Sequence, residues 1–549
     1  MTDVASPSDQ VEAIVAKFEK ALKEKRSFDT LWDAAYAWKE LARHSQEASD
    51  LRRALELFRQ ASRKTVTTSN FYTQFGEALL LFGEKSGDPR PAREALEWLQ
   101  KAIIEGESSA WVPYAEGHKL LYELSGDRED FEKADSIFQR AIIAQPECGF
   151  LWLHWGEMFL QSGWRRRHVP DVEVAIEKFT SLKAEDCPPA LVTAYLGEAL
   201  ALLGLFFDDL KLIHDGKEKV VTLLNQHLEF PHLLYAAGMI HLVEGLYFAD
   251  RGHFISAADY FHKGLEYNSH DLRFCHALYQ VYLGWGTTMK DVERIDDACA
   301  TIERLSKLRP FSSVHLIEWG IALLRLYQGE FDPLEQQAIV EEAILKFRKA
   351  IELNGDLEAH YQLGGTLDLL GDITGCEEYY EEAIELLSNL HFRLPQDIQV
   401  IFHLALALSH HGELLGNVES LYESIRYFTL ITEIDQEDEE AWCHLGYTKL
   451  VLSELVYDEN HPEISDELRS EAEAMLMHAA KLGNSEANYH LTCLYSLSNL
   501  CESAMHYLKR AEVLDALPPL EELDHDHWLS NLRKTAAYRD FMAARRYHG

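Results

Sequence analysis

Basic residues are scarce in this sequence of 549 residues: 52 Lys and Arg stand against 91 Asp and Glu, a formal charge of −39. A charge of that sign and size repels phosphate backbones and anionic lipid surfaces, so nucleic-acid binding is excluded as an expectation and basic partners are favoured. Proline is sparse at 15 residues, and no run of eighteen apolar residues occurs, so no integral membrane segment is expected. The N-terminal stretch MTDVASPSDQVEAIVAKFEK has no basic region followed by an apolar core, and the protein is expected to be cytoplasmic. The eight cysteines, at 148, 187, 275, 299, 376, 443, 493 and 501, form no CxxC and no ligand-like cluster. They read as reduced, mostly buried thiols rather than as a disulfide or zinc framework. Strand-like alternation is nearly absent, as are GxSxG, HExxH, GxxxxGK[ST] and a GxGxxG following a strand. No enzyme activity, cofactor or metal is therefore expected. What is plentiful is apolar surface, at 47% of residues with 11% aromatic, enough to fold the whole chain.

A small residue preceded by apolar ones recurs at Gly76, Gly117, Gly156, Gly197, Gly238, Gly320, Gly364 and Gly446. The spacing is about 41 residues, with two doubled intervals whose skipped registers hold Leu278 and Ala405. A second column follows, in which a small residue is joined by a large apolar one four later and another small one seven later. Ala95, Leu99 and Ala102 show it, as do Ala134, Phe138 and Ala141, and Ala343, Phe347 and Ala350. Offsets of four and seven share one helix face, so each repeat reads as two antiparallel helices touching along small-residue stripes. In GFLWLHWGEMF, Gly156 is the expected contact point, with Trp152 and Trp155 filling the space beside it.

These columns resemble the tetratricopeptide repeat. Trp442, Leu445 and Gly446 match the first-helix signature, as do Trp152, Trp155, Gly156 and Phe159, and Pro146 and Pro310 sit where its closing proline belongs. The resemblance implies an all-α fold, a right-handed superhelix of about twelve helix-turn-helix repeats. It places an N-terminal capping helix at 1–28, the repeat array at 29–485, and a final repeat with a C-terminal cap at 486–549. That cap resembles the end-of-group module of many bacterial arrays, with Asp524, Asp526, Leu532, Arg533 and Phe541 matching and one residue inserted. The capping helix would turn Val11, Ile14, Phe18 and Leu22 to one side and be capped by Ser8 or Asp9.

The chain departs from the family in the spacing between its two columns. Twelve residues is the family value, kept here at Gly364 to Cys376 and Thr492 to Ala504, whereas 19 recurs elsewhere. Seven extra residues are about two helical turns, so each helix can lengthen by one turn and keep its face. Coil at the hairpin tips EKSGDPRP and GWRRRHVP is the competing reading.

The resemblance further implies a concave side lined by residues three before and one after the small position. Those are Tyr114, Tyr235, Cys275, Tyr279, Tyr361, Phe402, Tyr447 and Tyr489, with Glu77, Glu157 and Glu198 nearer the N-terminus. The expected function is a non-enzymatic scaffold or adaptor that grips a basic or hydrophobic partner segment there. The same tyrosines could instead pack between repeats. The family's mode of clamping acidic chaperone tails does not fit, since its Lys, Asn and Arg positions hold Tyr, Glu and apolar residues. A chaperone for secreted substrates is the alternative binding role. A metal-dependent hydrolase at His525 and His527 is the distant one, against the reading of HDH as a capping turn. Arg165, Arg166, Arg167 and His168 form the one dense basic run, suited to a solvated tip or to an acidic group, and His410 and His411 are expected to complement a helix C-terminus.

Overall fold

A computed structural model describes residues 7–45, 48–64, 68–182, 187–226, 230–269, 271–329, 332–458 and 463–548. Among the described residues every regular element is helical. The chain divides into two compact units, Met1–Asp356 and Leu357–Gly549.

The first unit begins with α1 (Pro7–Glu24), which packs on α2 (Phe28–Ser45). Eight antiparallel pairs then run from α2 and α3 (Ala48–Ser62), through α4 (Ser69–Ser86) with α5 (Pro89–Ile104), α6 (Trp111–Ser125) with α7 (Arg128–Ala144) and α8 (Gly149–Arg166) with α9 (Val169–Thr180). They continue as α10 (Pro189–Phe207) with α11 (Leu210–Leu224), α12 (Pro231–Phe248) with α13 (Arg251–Tyr267), α14 (Leu272–Met289) with α15 (Val292–Leu308) and α16 (Ser313–Tyr327) with α17 (Pro333–Asn354). The second unit has four pairs: α18 (Leu357–Thr374) with α19 (Glu377–Arg393), α20 (Ile398–Leu415) with α21 (Val418–Ile434), α22 (Glu439–Leu455) with α23 (Glu463–Leu482) and α24 (Ala487–Leu497) with α25 (Cys501–Val513). It ends in α26 (Leu520–His525) and α27 (Ala536–His548). The twelve pairs match the number read from the repeat.

The pairs touch where the sequence places its small residues. A Cβ on Gly156 would lie 2.5 Å from the Phe179 ring, one on Gly76 would lie 2.5 Å from Leu99, and one on Gly238 would lie 2.4 Å from Phe261. The large residue of the second column thus seats on the glycine of the first, and the mean helix penalty of about 1 kcal/mol per glycine is offset by close contact. At Gly364 the spacing of twelve fails: Cys376 precedes α19, while Leu387 meets Gly364 and Ala383, 19 residues on, is the buried small residue. Thr492 to Ala504 does keep the short spacing, on helices of 11 and 13 residues.

The added length is helix rather than coil. Both hairpin tips reduce to two residues, Gly87 and Asp88 in one and Arg167 and His168 in the other. The first residue of each is left-handed, at φ 68° and 50°, and Asp88 accepts from the Arg90 N–H at the start of the second helix.

Three further sequence expectations are corrected. Ile14 is exposed, and α1 turns Val15, Phe18 and Leu22 to the array; the side chains of Ser8, Asp9 and Val11 lie outside the described residues. His410 does not serve a helix end, since α20 continues to Leu415; it faces Asp368 at 3.1 Å. Burial opposes its charge, but the hydrogen bond and charge of Asp368 prevail and raise it to about 9. His411 is buried against the Ser420 hydroxyl at 3.0 Å.

At the C-terminal end, Asp526 caps the Trp528 N–H at 2.8 Å, Arg533 donates to the Asp526 carbonyl at 2.7 Å, and Leu529 and Leu532 are fully buried. Five of the eight cysteines are buried. By length and composition α10 is apolar enough to span a membrane; in the array it packs against α9, α11 and α12.

Candidate ligand cavity

In a simple array each repeat meets only its neighbours. The first unit adds a contact far along the chain. Ser313, at the start of α16, places its hydroxyl 3.3 Å from the carbonyl oxygens of Leu124 and Ser125 at the end of α6. Asn354 donates to that hydroxyl at 2.9 Å. Beside it Arg309 lies against Gly87, where a Cβ would come within 2.7 Å of the Arg309 Cβ, and Arg90 lies over the Phe311 ring at 5.3 Å. The third pair thus meets the eighth, and the inner faces between them line an open cavity of about 610 Å³, within the range of ligand sites.

Eight successive first helices, α2 to α16, supply its wall, α2 through Arg43 alone. The register slides as the pairs climb. Near its C-terminus α4 contributes Glu84 and Lys85, α10 contributes Tyr195 and Glu198 near its middle, and α16 contributes Val314 and His315 near its start.

The wall carries six basic residues, Arg43, Lys85, Lys119, Arg165, Arg273 and Arg309, and six acidic ones. Much of that charge is paired. Lys119 reaches Glu157 at 2.6 Å and Glu123 at 3.0 Å, and Arg273 meets Asp271 at 3.2 Å. His276 meets Glu318 at 2.9 Å. Burial works against the Glu157 charge, but Lys119 and His154 hold the carboxyl well below its usual range, and the Tyr195 hydroxyl donates to it at 2.9 Å. Burial instead pushes Glu198 up to about 8 against the hydrogen bond that Trp164 donates at 3.1 Å, and the Glu157 charge adds to the rise. Near neutral pH, Glu198 is largely protonated. The cavity is therefore not acidic, although the chain is.

Of the groove residues expected from sequence, Tyr235, Glu157 and Glu198 line this cavity. Tyr235 also rests on the Phe261 and Phe274 rings. Glu77 is engaged by the buried Lys39 at 2.7 Å and by Arg43 at 3.3 Å. Tyr114 packs edge-on to His118 at 5.0 Å, Cys275 is buried, and Tyr279 is buried with its hydroxyl on the Glu318 carbonyl at 3.1 Å. In the second unit the column is knitted by histidines: Tyr361 to His403 at 4.9 Å, Phe402 to His444 at 5.5 Å and Tyr447 to His490 at 4.6 Å. The Tyr489 hydroxyl bonds Asp526. Each of these rings spans one pair and the next element. Arg165 was legible only as part of a basic run, and Arg273, Arg309 and His315 carried no signal at a fixed register.

Three groups of ligand-type side chains come together elsewhere: His241, Glu244 and His253; Asp368, Asp372 and His410; Glu377, Glu381 and His411. Each has an internal explanation. Lys217 bonds both Glu244 oxygens at 2.8 and 2.7 Å, placing a cation where a metal would sit. His410 is held charged, and His411 is bonded to Ser420. His525 contacts the Glu521 carbonyl at 2.7 Å, and His527 packs on Trp528. The cavity wall offers charge, hydrogen bonds and aromatic surface.

No family model matches the sequence, and no curated protein does. Solved structures do. A thermophilic tetratricopeptide protein of Thermus thermophilus, TTC0263, is 19% identical, covering 39% of this chain and 98% of its own at a TM-score of 0.28. The Cut9–Hcn1 hetero-tetramer of the APC/C is 13% identical, covering 97% of both chains at 0.32. Yeast Tom70 is 14% identical, covering 91% of this chain and 99% of its own at 0.32. At such identities the likeness concerns fold alone. With twelve antiparallel helix pairs joined through small-residue crossings, the chain is similar to tetratricopeptide-repeat proteins in architecture.

Proposed function

We propose that the chain is a non-enzymatic adaptor that grips a segment of a partner protein in the inner cavity of its first unit. The observation that carries this reading is the convergence of eight first helices on one cavity whose wall mixes aromatic rings with charges. Tyr235, Glu157 and Glu198 are the wall residues proposed to face the partner, joined by Tyr195 and Trp164. Aromatic side chains with a polar handle give large contact area at low ordering cost. The charge of −39 favours approach of a basic or apolar segment.

The test is positional. A photo-crosslinking residue at Gln161, on the wall, is compared with one at Glu132, an exposed position of α7. The expected result is a defined partner captured from Gln161 and not from Glu132, with capture falling as salt rises. Equal capture at both positions, or none at either, would sink the reading.

A further inference from the structure

Two arginines on this wall have no partner. Among the described residues neither Arg165 nor Arg309 makes a side-chain hydrogen bond or an ion pair, and the Arg309 Nε is buried and unsatisfied. A buried charged donor such as the Arg309 Nε is rarely left so, while Arg165 is exposed. Both are firmly seated. Arg309 lies against Gly87, and the Arg165 guanidinium lies against Gly126, where a Cβ would fall 1.8 Å from its Nη1. Both glycines are left-handed turn residues at the closure, at φ 68° and 67°. A third group stands with them. His315 lines the same cavity, is only 7% exposed, and has an unpartnered Nδ1.

The acidic neighbours do not account for this cluster. Glu123 is held by Lys119 at 3.0 Å and Glu318 by His276 at 2.9 Å. Asp271 is held by Arg273 at 3.2 Å. Among the described residues the wall acids Glu84 and Glu198 have no ion pair, and burial pushes both carboxyls toward the neutral form. Two planar guanidinium forks and an imidazole around water-accessible space form a donor set for oxyanions, which accept such forks in two parallel hydrogen bonds.

We infer that Arg165, Arg309 and His315 form a site for an oxyanion, a carboxylate or phosphate group, at the closure of the first unit. The inference uses the cavity of the proposed function but not the identity of its occupant. The group could come from a free small anion or from the carboxylate at the end of a peptide.

Calorimetric titration of the full chain at low salt distinguishes these sources. The probes are inorganic phosphate, citrate and an N-acetylated apolar pentapeptide with its C-terminus either free or amidated. At least one oxyanion probe is expected to bind, and the R165Q/R309Q variant should weaken it roughly tenfold or more. Binding of phosphate or citrate alone assigns the site to small anions, whereas a preference for the free-acid peptide over its amide assigns it to a chain end. Arg165→Gln alone, at an exposed position of the last turn of α8, gives a folded comparison if the double variant melts early. The inference is overturned if no oxyanion probe binds, or if binding is unchanged in both variants. Crosslinking from Gln161 that persists in R165Q/R309Q would leave the adaptor reading standing without this site.

Discussion

Glu198 is a carboxyl group kept protonated by its surroundings at the centre of an acidic chain, and that makes it a measurable liability. Its folded value of about 8 lies above the ordinary value near 4.5. The folded state therefore disfavours ionisation: stability is intact below about pH 4.5 and declines as pH rises toward 8. Glu198→Gln keeps an acceptor for the Trp164 indole and removes the charge. We expect the variant to be more stable than the natural chain at pH 8.5 by on the order of 2 kcal/mol, with little difference at pH 4.5. Urea unfolding at the two pH values checks this, and an equal difference at both would show that ionisation is not the cause. Glu198 was legible in the sequence because it follows Gly197, and the same reasoning found Glu157 and Tyr235. Arg273, Arg309 and His315 were not legible. A rule with fixed offsets from the small residue reads one height on every helix, whereas the wall crosses α4 near its end and α16 near its start.

Helix pairs owe their spacing to glycine, and α10 with α11 shows how tight the spacing is. A Cβ on Gly216 would lie 2.4 Å from the carbonyl oxygen of Gly197, so backbone meets backbone. Alanine ordinarily favours a helix over glycine by about 1 kcal/mol, but an overlap with a carbonyl cannot be relieved by turning a side chain. Gly216→Ala is therefore expected to destabilise the first unit by about 2–3 kcal/mol, read from its denaturant midpoint; a rise in stability would mean the helices part freely. Most of this level was legible. Helix type, pair number and the Gly156 contact follow from the 41-residue period and the small-residue columns, and the preference for longer helices over coil follows from the seven-residue surplus. The misplaced Cys376 column has a simple origin: Ala383 offers the same pattern seven residues later, two turns along one face, and only packing against Gly364 separates the two. The buried histidines that join rings in the second unit were hidden because His fits core and surface alike.

At the scale of the first unit, the contact between α6 and α16 separates this chain from an open array. Contacts between residues 189 apart, as between Leu124 and Ser313, cannot be inferred from any local period. They arise from curvature accumulated over five pairs. The contact should couple distant repeats. Ser313→Ala combined with Phe311→Ala is expected to speed amide exchange at the end of α6 as well as at the start of α16, by at least about fivefold, which is about 1 kcal/mol of opening free energy. Exchange that quickens only around residues 311–313 would show the two helices to be independent. The closure also constrains timing. While α6 and α16 stay joined, an occupant cannot leave between those two helices, so it slips out through the open part of the cavity or waits for the seam to part. For an occupant that leaves through the seam, residence time has a floor set by breathing of the protein, even when few bonds hold it.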